Sequence, residues 1–154
     1  MRSDKVSPRD AAAWGILLLR LSLGILFLAH GVVLKVLTYG ASGAAQFFVG
    51  VGLPGWLAYV TIFLEAAGGA LLVLGIETRW VSLALSPILL GALFFVHAGN
   101  GWVFTNPNGG WEYPAYLFLL CVAQALLGDG PLALSASLVL PTKPSRPERP
   151  LPAR

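Results

Sequence analysis

The chain has 154 residues, of which 56% are hydrophobic and only 11% charged, with a formal net charge of +3 and a single cysteine. Ordinary soluble domains carry about 25% charged residues. With so few charges a fold of this size could not cover its own surface, so a conventional soluble domain is excluded and lipid becomes the expected solvent. Cys121, alone, excludes an internal disulfide and Cys-x-x-Cys thiol exchange, and it reads as a small apolar packing residue.

A spanning helix needs roughly 20 mostly apolar residues. Four segments qualify: Ala11–Leu37, Pro54–Ile76, Trp80–His97 and Trp111–Leu127. The predicted fold class is therefore all-α, a four-transmembrane-helix bundle occupying residues 11–131. An N-terminal flank (1–10) and a Pro/Arg-rich tail (132–154) surround it. The first segment is too long for a secretory signal and lacks a small-x-small cleavage site, so it reads as a retained span. Thr38-Tyr39-Gly40 stops it. Ser42 is expected to cap a short helix running through Gly50, lying at the outer surface on Phe47, Phe48 and Val49. Gly50 and Gly52 suit its C-terminal turn, and Pro54 suits the first turn of span two.

Span three contains Pro87, which frees a carbonyl and bends a membrane helix. The loop from Gly99 to Gly110 is rich in Asn, Gly and Pro, which demand turns. Span four opens with Glu112, favourably placed at a helix N-terminus, and closes at Gly128-Asp129-Gly130-Pro131. Leu132–Leu140 is apolar but too short to span. No inverted repeat stands out, which argues against a transporter built from one. A solute transporter of four spans would need an oligomer.

Basic residues set the orientation. Arg2, Lys5 and Arg9 precede span one, Arg79 lies between spans two and three, and Lys143, Arg146, Arg149 and Arg154 follow span four. The loops Thr38–Leu53 and Ala98–Gly110 contain no Lys or Arg. The positive-inside rule then places both termini in the cytoplasm. The tail Pro141–Arg154 reads as a disordered end near anionic lipid and gives no case for nucleic acid.

Ionisable residues at bilayer depth are expensive and normally have a partner. Arg20 and Glu65 both interrupt apolar runs. Helical rise puts Arg20 roughly 9 Å beyond Trp14 and Glu65 roughly 13 Å below Trp56. Gln124 lies roughly 18 Å along span four from Glu112. The expectation is an inner polar layer of Arg20, Glu65 and Gln124, with a bidentate Arg20–Glu65 contact. That pair reads either as part of a ligand site or as a structural ion pair fixing helix packing. An outer layer would hold His30, His97, Lys35 and Glu112; two His and a Glu could bind a metal, carry protons or line a small pocket. The bland readings are interfacial histidines, a Lys35 that snorkels to the outer headgroups and a Glu112 that caps span four. The histidines lack the i, i+3 or i, i+4 spacing of a helical metal or haem motif, so no metal site is assigned. No phosphate loop, dinucleotide fingerprint or nucleophile triad is present.

Several runs together resemble the DoxX family. They are Leu19-Arg20-Leu21-Ser22-Leu23-Gly24 with His30-Gly31 and Lys35, then Gly52-Leu53-Pro54, then Phe63-Leu64-Glu65-Ala66-Ala67-Gly68-Gly69 and onward to Gly75 with Thr78-Arg79. Asn100-Gly101, Gly109-Gly110-Trp111-Glu112-Tyr113-Pro114 and Gly128-Asp129-Gly130-Pro131 continue the likeness in order. The resemblance implies a four-helix protein of the bacterial inner membrane. It also implies an association with quinone or sulfur and thiol redox, or with a membrane complex for oxidative-stress defence. No cofactor is evident in the residues themselves. Under the resemblance this chain either binds quinone or anchors a soluble redox-protein partner. A quinone or small sulfur compound would sit at the candidate residues of the two polar layers, Arg20, Glu65, Gln124, His30, His97 and Glu112. Whether it is itself an enzyme stays open, as does a homo-oligomer. The alternative is a non-catalytic scaffold in which Arg20–Glu65 is only structural.

Overall fold

The structure, a computed structural model, describes residues 7–138. The basic residues Arg2, Lys5, Lys143, Arg146, Arg149 and Arg154, and the tail Pro141–Arg154, lie outside the described residues. Among the described residues five α-helices form the fold: α1 (Pro8–Leu28), α2 (Ala41–Gly50), α3 (Trp56–Leu74), α4 (Thr78–Gly91) and α5 (Glu112–Leu127). Two of them continue without a break into π-helix, α1 into Ala29–Thr38 and α4 into Ala92–His97. Among the described residues three continuous helices are long and apolar enough to cross a membrane: Arg9–Thr38, Trp56–Leu74 and Thr78–Asn100. The helix Glu112–Leu127 is apolar but shorter. Among the described residues there is no strand, only an isolated bridge between Ile76 and Ser135.

Local chemistry explains the boundaries. Ser7 accepts from the Asp10 N–H at 3.2 Å, and Pro8 follows in the first turn of α1, where a missing N–H costs nothing. The short helix begins one residue before the expected cap. Gly40 at φ +74° occupies the cap position, and Ser42 lies inside the helix. Helix α3 ends at Gly75 in the left-handed region, with the Ile76 N–H reaching back to the Leu71 carbonyl at 3.0 Å, a Schellman closure. Inside α4, Pro87 cannot donate to the Leu83 carbonyl. The Ser86 hydroxyl donates there instead, at 2.8 Å.

Helices α1 and α3 pack closely because glycines face backbone. A Cβ on Gly69 would stand 2.8 Å from the Gly24 carbonyl oxygen and 2.9 Å from the Leu28 nitrogen. The midsection of the bundle is filled by Leu23, Phe27, Leu72, Leu85, Leu89, Leu117 and Cys121. After α5 the chain turns back. Leu134 and Ser135 donate backbone N–H groups to the carbonyls of Leu74 and Gly75, so residues 128–138 form a strap over the α3–α4 turn. The first turns of α1, the α3–α4 turn and the strap thus share one end of the bundle.

Candidate functional site

Two polar clusters lie at opposite ends of the apolar midsection, with memberships unlike those expected. The Arg20–Glu65 pair does not form. Gly24 faces Gly69 and Val73, while Gly31 faces Ile62, Glu65 and Ala66. In that register Glu65 is level with Gly31, and Arg20 lies eleven residues earlier, roughly 16 Å down the helix axis at 1.5 Å per residue. The expected depths were measured from Trp14 and Trp56, and a first helix of 30 residues overruns that frame.

Glu65 is paired with Lys35. The Lys35 ammonium donates to both carboxylate oxygens, at 2.8 and 2.6 Å, and the two side chains are 18% and 5% exposed. Lys35 therefore turns inward to a counter-charge and does not snorkel outward. The two donations leave one ammonium N–H for another partner.

The π-helical backbone makes this arrangement. Five residues at 100° each would set His30 and Lys35 about 140° apart on an α-helix. Hydrogen bonding from i to i+5 brings them onto one face. The Tyr39 N–H to Leu34 carbonyl bond, at 3.1 Å, shows that pattern. The second π-helical segment delivers His97 to the same place. A cavity of about 130 Å³ is lined by His30, Lys35, Glu65, His97 and Tyr113 together with Leu26, Phe27, Leu89 and Leu117. A larger apolar groove of about 530 Å³, between Phe47 and Phe48 of α2 and residues of α3 and α4, also reaches His30, Lys35 and His97.

Both histidines hold a defined tautomer. His30 Nδ1–H donates to the Leu26 carbonyl and His97 Nδ1–H to the Gly109 carbonyl, each at 3.0 Å. A carbonyl can only accept, so in the neutral ring each Nε2 carries a lone pair. The site accordingly offers one ammonium donor and two imidazole acceptors in an apolar setting. Among the described residues no group of three His, Cys, Asp or Glu side chains is placed to hold a metal ion.

Glu112 does not line this cavity. Its carboxylate accepts from the Phe104 N–H at 2.7 Å and fastens the 98–110 loop, in which Asn100 also bonds the carbonyls of Val96, Asn108 and Gly109. Through Gly109, that loop holds the His97 ring.

At the other end, Arg20 is 1% exposed and donates through Nη1 to the Asp129 carbonyl. Gln124, fully buried, donates to the Gly128 carbonyl at 2.7 Å. Around them runs a reciprocal pair of caps that the sequence did not announce. Asp129 accepts from the Thr78 N–H at the start of α4, at 3.1 Å. Arg79 donates to the Ala125 and Leu126 carbonyls at the end of α5, at 3.0 and 2.8 Å. Asp129 also accepts from the Ser137 hydroxyl and N–H, at 2.6 and 2.9 Å. Burial alone would raise the Asp129 pKa, but the bonds from Ser137 and Thr78 outweigh it and hold the carboxyl below its ordinary range. The short polar residues of 78–82 and 137 gave no motif to read.

The comparisons with known proteins bear on the cavity. A family model described as DoxX matches residues 15–98. CatD of Bacillus subtilis (strain 168), provisionally named an oxidoreductase, is 36% identical over 120 residues, covering 78% of this chain and 84% of that protein. No solved structure matches the chain. The family match takes in His30, Lys35, Glu65 and His97, and the relative aligns over most of both chains. On those two findings the chain belongs to the DoxX family.

Proposed function

We propose that the protein is a four-span subunit of the bacterial inner membrane, with both termini cytoplasmic, that binds a quinone in the cavity between His30, Lys35, Glu65 and His97. In this reading it serves a membrane redox complex concerned with sulfur or thiol chemistry and oxidative-stress defence, and a soluble redox partner supplies or takes the electrons. The observation that carries the reading is that three polar side chains from two π-helical segments, His30, Lys35 and His97, line one largely apolar cavity together with Glu65, to which Lys35 is bonded. Its volume of about 130 Å³ is close to the roughly 150 Å³ of cavities that hold a benzene ring. π-Helical turns are frequent at functional sites.

The residues divide the work. Glu65 holds the Lys35 ammonium in place, and the remaining Lys35 N–H donates to a ring carbonyl oxygen. The Nε2 lone pair of His97 or His30 accepts from a quinol hydroxyl. The groove beside Phe47 and Phe48 takes an apolar tail. Arg20 and Gln124, which the sequence placed among the ligand residues, belong in this reading to a closed structural cluster. The oxidoreductase name of the Bacillus relative is consistent with the reading.

The test is mass spectrometry of small molecules that co-purify from mild detergent, on wild type, Glu65→Gln and the uncharged double variant Lys35→Gln/Glu65→Gln. Melting curves verify that each is folded. A quinone present in wild type and lost from folded variants supports the site. Lipid alone in every preparation would favour a non-catalytic scaffold, a reading that the burial of Arg20 also suits.

A further inference from the structure

The strap after α5 carries an apolar edge that the bundle leaves uncovered. Leu132, Leu134 and Leu138 are 74%, 69% and 78% exposed, although this segment lies firmly on the protein. Between them Ala133 sits against Gly75, and Ser137 is buried. The segment thus has an inner edge that packs and an outer edge of leucines. No charged residue occurs between Asp129 and Lys143.

Part of its backbone is already paired. The N–H groups of Leu134 and Ser135 bond the Leu74 and Gly75 carbonyls, and that of Ser137 bonds Asp129. The Leu138 N–H donates to Glu77 at 3.2 Å, and the Leu138 carbonyl accepts from the Trp80 indole at 3.0 Å. Unsatisfied backbone is what normally keeps irregular chain out of lipid, and these bonds remove much of that penalty. The Trp80 contact also sets the height. Trp80 and Trp14 are 46% and 56% exposed at this end of the bundle, where tryptophan marks the boundary between hydrocarbon and water. Just beyond the strap the sequence carries Lys143, Arg146, Arg149 and Arg154, a basic run suited to anionic headgroups.

We infer that Leu132–Leu138 is an interfacial membrane anchor, with Leu132, Leu134 and Leu138 inserted into the acyl boundary of the adjacent leaflet. The strap is too short to span, and it adds exposed apolar area at the height that Trp80 marks, while the sequence after it supplies basic charge. Apolar area with basic charge is the combination that binds a lipid interface. The occupant of this face is lipid, and neither a partner protein nor a second copy of the chain.

The test is a nitroxide label on Leu134→Cys, with the full chain in nanodiscs containing phosphatidylglycerol. Native Cys121 is fully buried, so unsubstituted protein carried through the labelling is the blank. Collision with dissolved oxygen several-fold above collision with a water-soluble nickel chelate supports insertion. The reverse ratio overturns it, because the edge then faces water. Protection from both reagents also overturns it, because protein then covers the edge. Leu138→Cys serves in the same way if Leu134→Cys fails to fold.

Discussion

Lys35 bonds both oxygens of Glu65, and the two residues reach each other across the junction of the first π-helical segment with α3. Glu65 is 5% exposed on its side chain, so removing one partner strands the other charge away from water. Breaking such a pair costs several kcal/mol, while replacing both members by apolar groups is often tolerated. Lys35→Met alone and Glu65→Leu alone should each destabilise the protein by about 3 kcal/mol, the lower end of that range because Lys35 is partly exposed. The double variant should recover most of the loss. Thermal unfolding in detergent measures the cycle, and additive losses would show that the pair is not coupled.

The strap end should respond to acid through Asp129. The folded state holds its pKa below the ordinary 3.8. A carboxyl depressed in the folded state contributes stability that is fully present above the unfolded value and is lost as pH falls through the folded one. Wild type should therefore lose stability below pH 3.8, in step with protonation of Asp129. Asp129→Asn should be less stable than wild type at neutral pH and should show a flatter profile over the acid window. Unfolding midpoints taken from strongly acidic to neutral pH decide this, and parallel profiles would remove Asp129 from the account.

Much of the fold was legible in the sequence, because apolar runs, cap glycines and Pro87 act locally. The pairing of the charges was not. The depth of Arg20 against Glu65 depends on the register of two helices, and that register is set by Gly24 against Gly69 and Gly31 against Ala66, contacts visible only in three dimensions. His30 and Lys35 share a face only because the helix there is π, and their spacing of five argues against a shared face under α geometry. Asp129 and Arg79 were read as a turn residue and a topology marker, since reciprocal capping between two helix ends leaves no spacing signature. His30, His97 and Glu65 were identified as candidates, but the sequence divided them between two layers that the structure rearranges.

Pro87 and Ser86 give a cycle with an internal check. The Ser86 hydroxyl serves the Leu83 carbonyl that Pro87 leaves without an N–H. Ser86→Ala should cost about 1 kcal/mol, the usual net worth of such a bond. In a Pro87→Ala background the backbone regains an N–H at that position, and it can serve the same carbonyl. Ser86→Ala should then cost little, and the difference between backgrounds is the coupling. Equal costs in both would mean that the hydroxyl acts elsewhere.

Glycines in the first helix should separate into two kinds. A Cβ on Gly24 would lie 2.9 Å from the Gly69 carbonyl oxygen and 3.0 Å from the Val73 nitrogen, both backbone atoms that cannot move without parting α1 from α3. Gly24→Ala should therefore destabilise by about 1–3 kcal/mol, as overpacking does. Gly15, in the same helix, has no atom within 4 Å of the corresponding position. Alanine there removes only the entropic penalty of glycine in a helix, so Gly15→Ala should stabilise by up to about 1 kcal/mol. Opposite shifts in melting temperature from one chemical change on one helix would locate the close approach at Gly24. Two shifts of the same sign would mean that the packing of α1 on α3 does not depend on that contact.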